Sequence, residues 1–147
     1  MGANNTFYVS LPKLVYGREM FFNATVGNFD SDLPALRDGD GMFKNSTLDS
    51  LTDECDFRNT LPLLTNGTDM FRLCSGMNRF TVNLPSLTTG TNMFMSCPDL
   101  ISISTDANQL IDGTRMCCNC PSLSTVVMTP TKLQTAEEMF SYCTNLK

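Results

Sequence analysis

The sequence predicts a repeat solenoid: short parallel β-strands joined by tight 3-10 or helical turns, wound through about six turns. Three observations predict it. Met70, Met93, Met116 and Met139 stand 23 residues apart, and Cys74, Cys97, Cys120 and Cys143 follow each at one offset. Met20 and Met42 extend the series, with Ala24 and Ser46 in the cysteine slot. A Gly stands three residues before the Met at Gly17, Gly39, Gly67, Gly90 and Gly113, with Ala136 in the sixth place. Such phasing has a physical use when each turn stacks a side chain on its neighbour's copy.

The whole chain, 1–147, reads as one domain: a stub at 1–6, then repeats at 7–28, 29–56, 57–79, 80–102, 103–125 and 126–147. The first is a residue short, and the second carries about five extra residues near Leu51–Asp56. Each repeat opens on an apolar strand column, Phe7, Phe29, Phe57, Phe80, Ile103 and Val126. The segment Leu100–Thr105 shows the alternation and β-branching of a strand. A Leu-Pro step follows at Leu11, Leu33, Leu61 and Leu84, where proline has no N–H for a ladder and ends the strand. After a further Leu column, the Gly is expected to turn the chain with φ > 0. Met-Phe-x-x-Cys, with apolar spacings of one, three and four, is expected to form one helical or 3-10 turn pointing Met and Cys inward.

The motif Met93-Phe94-x-x-Cys97-x-x-Leu100-x-x-Ile103, repeated as Met70-Phe71-x-x-Cys74-x-x-Met77-x-x-Phe80, resembles the BspA-like class of leucine-rich repeats. The likeness spans nearly the whole chain. It departs at Cys117, which replaces the Phe, and in the first two repeats, which lack the Cys. The resemblance implies a curved right-handed solenoid with a parallel sheet on one face. It also implies protein recognition or cell-surface adhesion, in a family found in microbes, mobile elements and phage.

Composition narrows the function. Net charge is −5, with ten Lys and Arg scattered along the chain, so neither nucleic acid nor an anionic membrane surface is an expected partner. No run approaches the roughly 18 apolar residues of a spanning helix. The start Met-Gly-Ala-Asn-Asn-Thr has no basic or apolar leader pattern. The expected location is the cytoplasm or a virion, unless the chain was trimmed from a surface protein.

With no His in the chain, Ser-His and Cys-His nucleophile pairs are excluded. The expectation is a non-enzyme with no catalytic residues, no cofactor and no metal. The cysteines read as small buried hydrophobes, Cys117-Cys118-x-Cys120 lacking a second ligand pair. The aspartates of the second repeat read as a solvated edge, with a weak Ca²⁺ site around Asp38-Gly39-Asp40 as the alternative.

Recognition belongs to the variable positions that alternate outward along the strands. These are Tyr8 and Ser10, Asp30 and Asp32, Arg58 and Thr60, Thr81 and Asn83, Ser104 and Asp106, Val127 and Thr129. The insertion adds Asp53, Glu54 and Asp56. The expected function is binding of a protein partner through this face and the insertion. A second reading is a structural component of a virion or surface layer, docked through an uncapped C-terminal end where Val126, Leu133, Met139 and Leu146 would face water. There a second copy or another chain would bind. A third is a carboxylate-based hydrolase, which requires paired aspartates.

Overall fold

The computed structural model describes residues 6–29, 31–48, 56–57 and 60–147. Its regular elements are all short strands, and the described residues contain no helix. β1 (Thr6–Phe7) pairs with β3 (Asn28–Phe29), and β2 (Thr25–Val26) pairs with β4 (Thr47–Leu48). β5 (Asp56–Phe57), β6 (Arg79–Thr81), β7 (Ser102–Thr105) and β8 (Thr125–Met128) form a four-stranded sheet in chain order. Every pairing is parallel, and Arg79, Ser102 and Thr125 are successive partners. The register thus equals the sequence period, so equivalent residues of consecutive repeats lie side by side.

A second row of parallel bridges joins Tyr16, Asp38, Asn66, Thr89, Asp112 and Thr135. Beyond it the backbone continues to pair. Between the fifth and sixth repeats, the N–H groups of Gly113, Arg115, Cys117 and Asn119 donate to the carbonyls of Thr135, Glu137, Met139 and Ser141. The same four columns bond at every other junction, at 2.7–3.0 Å. Asp38 and Asn66 are 28 residues apart yet bridge directly, so the columns stay in phase across the longer second repeat. Where the chain returns, Gly76 is required: its φ is +83°, and a Cβ there would lie 2.1 Å from the Leu48 carbonyl oxygen.

The Met-Phe-x-x-Cys segments are not helical, which corrects the expectation of 3-10 or helical turns. They are chains of β-turns, as in Met20 N–H to Gly17 O, Phe22 N–H to Glu19 O and Ala24 N–H to Phe21 O. Helices keep φ negative throughout, whereas here φ is positive in two whole columns. One is Glu19, Gly41, Asp69, Asn92, Arg115 and Glu138, and the other Asn23, Asn45, Leu73, Ser96, Asn119 and Tyr142. The physical reason lies in the junction ladder, which draws alternate N–H groups sideways to the next repeat and leaves no helical path for them.

The repeated glycines are also not the turn-makers expected. Gly17, Gly39, Gly67, Gly90 and Gly113 have no positive φ. They are small because the next repeat's methionine lies against them: a Cβ on Gly67 would stand 3.0 Å from the Met93 sulfur, and one on Gly39 would stand 2.9 Å from that of Met70.

The core runs between the ladders. The Leu column at Leu36, Leu64, Leu87 and Leu110 is buried, as are Met42, Met70, Met93, Met116 and Met139. Met20 departs from its column with 44% exposure, because no earlier repeat covers it among the described residues. Phe21, Phe43, Phe71 and Phe94 form a stack with centroid steps of 5.1, 5.3 and 5.5 Å. Cys117 ends the stack. Phe29 and Phe80 pack edge-on against it.

The column cysteines are free, buried thiols with a hydrogen-bonding task. Cys97 Sγ donates to Phe71 O at 2.9 Å, Cys120 Sγ to Phe94 O at 3.0 Å and Cys143 Sγ to Cys117 O at 3.0 Å. Phe71 O and Phe94 O already take the turn N–H groups of Cys74 and Cys97, so there the thiol serves the second lone pair. Ser46 does the same for Phe21 O.

Candidate recognition face

The alternation expected along the strands is present. In β7, Ile103 and Thr105 are buried and Ser104 is exposed; in β6, Phe80 is buried and Thr81 exposed. Tyr8, Ser10, Asp32, Thr60, Asn83, Val127 and Thr129 are exposed as well, with Tyr8 at 71%. Asp106 is half-buried. Asp30, Asp53, Glu54 and Arg58 lie outside the described residues, and only the backbone of Asp56 is described.

Register places Thr81 beside Ser104 and Ser104 beside Val127. Thr60, Asn83, Asp106 and Thr129 form the next outward column. Between the third and fourth repeats this face opens a cleft of about 270 Å³, lined by Thr60, Leu61, Pro62, Thr81, Val82, Asn83 and Pro85. Two successive Leu-Pro turns wall it. Three of the expected site residues, Thr60, Thr81 and Asn83, therefore meet at one feature. The apolar floor and the proline walls were not expected, and the recurring Leu-Pro step is the sequence signal that could have located them.

Polar groups on this face are of two kinds. Asp32 is committed: Thr60 donates to its Oδ1 from the backbone N–H at 3.1 Å and the hydroxyl at 2.9 Å. Those two bonds hold the Asp32 carboxyl below its usual range. Beside the cleft, Thr105 Oγ1 and Asp106 Oδ1 are buried with no hydrogen-bond partner among the described residues.

The acidic edge of the second repeat is more than a solvated surface, which corrects the sequence reading. Asp38 is buried, accepting from Arg18 Nε at 2.7 Å, Asp40 N–H at 3.1 Å and Asn66 Nδ2 at 3.0 Å. Burial raises its pKa, but Arg18 and the other donors outweigh that and hold it low. Asp40 goes the other way, raised by burial and by Asp38 and Asp69 against the pull of Arg18. Asp69 is held by Lys44 Nζ at 2.6 Å and Arg72 Nη1 at 3.4 Å. Arginine and lysine occupy the carboxylates of Asp38 and Asp69, and among the described residues no group of three or more His, Cys, Asp or Glu could hold a metal ion. No helix among them is long and apolar enough to cross a membrane.

Comparison of the chain with family models, with curated proteins and with solved structures finds no match.

Proposed function

We propose that this chain is a BspA-like leucine-rich-repeat solenoid that recognises a protein partner without catalysis, through its strand face. The solenoid reading is supported by equivalent residues pairing in register at each junction, in the strands and again through the turns. The functional reading is carried by one observation: Thr60, Thr81 and Asn83 converge on a cleft with an apolar floor and two proline walls. A partner side chain entering there would bury apolar surface on the exposed Pro62 and Pro85, above Leu61 and Val82, while its backbone meets hydroxyl and amide groups at the rim. The residues lining the cleft carry no charge, so shape and hydrogen bonding, rather than steering, would set specificity.

The test is capture from the native source with the wild-type chain and with Thr81→Arg and Asn83→Arg, which fill the cleft from exposed positions. Proteins bound through this face are expected to be lost with both variants and kept with Tyr142→Asn, a change in the turn row. Equal recovery with all chains would sink the proposal.

A further inference from the structure

The junction ladder gives the molecule a direction. Each repeat donates from four columns and accepts from the four between them, always toward the same end. The sixth repeat therefore presents the N–H groups of Ala136, Glu138, Phe140 and Tyr142 with no backbone acceptor among the described residues. The first repeat presents the carbonyls of Tyr16, Arg18, Met20 and Phe22 with no backbone donor among the described residues. The two rows are complementary, since they belong to the donor and acceptor columns that bond at every junction within the chain. Return bonds match as well: Val15 O takes the N–H groups of Arg37 and Asp38, and the equivalent Gln134 O takes no backbone N–H among the described residues.

Side chains agree with this pairing. Beyond the sixth repeat lies an apolar cavity of about 360 Å³, lined by Val126, Met128, Leu133, Met139, Phe140 and Leu146. In the fifth repeat the equivalent Leu110, Met116 and Leu123 are fully buried, because the sixth covers them. Met20, half-exposed at the other end, is the side chain that would enter.

We infer that the far face of the sixth repeat takes the first repeat of a second copy of this chain, stacked head to tail. Continuing the columns sets exposed Glu137 beside Arg18. Glu138 would meet Glu19, but Arg115 Nε already neutralises it at 2.5 Å. Lys132 and Lys13 are the like-charged pair that remains, both on exposed stems. The inference concerns the end of the molecule and stands independently of the strand-face reading. Such a contact is heterologous and leaves a free face at each end of the pair, so the assembly grows past a dimer as concentration rises.

Ala136 supplies the test. Gly occupies this column wherever a methionine lies against it, so the Ala136 methyl would press on the incoming Met20. Ala136 itself is exposed. Light scattering from micromolar to millimolar concentration should show a mass that rises without stopping at a dimer. Ala136→Gly should tighten the association about tenfold, and Ala136→Leu should leave a monomer. Amide exchange at Ala136, Glu138, Phe140 and Tyr142 should slow on association. A wild-type chain that stays monomeric, a mass that stops at two, or association with these four amides unprotected would each overturn the inference.

Discussion

At the scale of the residue, the costly feature is left-handed backbone outside glycine. In the two positive-φ columns only Gly41 avoids that cost; Asn23, Asn45, Asn92 and Asn119 tolerate it, and Leu73, at φ +60°, does not. The Leu73 side chain is 45% exposed, so it recovers little by burial. Its N–H still bonds to Met95 O at 2.8 Å, and that ladder bond fixes the conformation. Leu73→Asn should therefore stabilise the fold by about 0.5–1 kcal/mol, read as a higher urea midpoint at unchanged slope. Leu73→Ala keeps the strained backbone and serves as the control. An Asn variant no more stable than the Ala variant would mean the turn is not strained at this position.

At the scale of the element, the repeat is defined by what its neighbour needs. Gly67 is small for Met93, and the Cβ of an alanine there would also meet Leu87 Cδ1 at 3.3 Å. Gly67→Ala should cost about 1–3 kcal/mol by overpacking, and combining it with a shortened Met93→Leu should cost less than the sum of the two single changes. Additive costs in a denaturation cycle would remove the contact as the reason for the glycine. This pairing shows how far the sequence could be read. The period, the core columns and the outward positions of the strands followed from recurrence and a two-residue alternation. The role of Gly67 did not, because a recurring glycine fits a positive φ and a close approach equally well. Its partner stands 26 residues on, beyond any local pattern. The Met-Phe-x-x-Cys spacing suggested a helical turn for a similar reason, since inward Met and Cys satisfy either geometry. The readable warning was asparagine just before the cysteine slot at Asn23, Asn45 and Asn119, a residue type suited to left-handed turns. The cleft at Thr60 and Asn83 escaped because it exists only between two Leu-Pro turns of neighbouring repeats.

At the scale of the whole molecule, the thiol column links the repeats and sets how the fold responds to alkali. Burial pushes the thiols of Cys97 and Cys117 well above their ordinary value, raises Cys120 to about 12 and raises Cys143. An unfolded cysteine loses its proton near pH 8.5–9, whereas these keep theirs while the chain is folded. Between the two values the unfolded state has fewer protons bound than the native one, so stability that is complete at neutral pH falls as pH rises. Each buried thiol contributes a slope of up to about 1.4 kcal/mol per pH unit, and Cys97, Cys117 and Cys120 act in parallel. Cys97→Ser isolates one of them. Ser46 already performs the same donation to a carbonyl, so the hydroxyl keeps the hydrogen bond to Phe71 O and removes the titration. Urea unfolding at neutral pH should then change little, while the loss of stability above pH 9 should become shallower by one thiol's share. Iodoacetamide should label none of these sulfurs until the chain unfolds, since the thiolate is the nucleophile and the folded state withholds it. Rapid labelling of Cys97 in the native protein, or an alkaline slope unchanged by the serine, would show that the column does not carry the pH response.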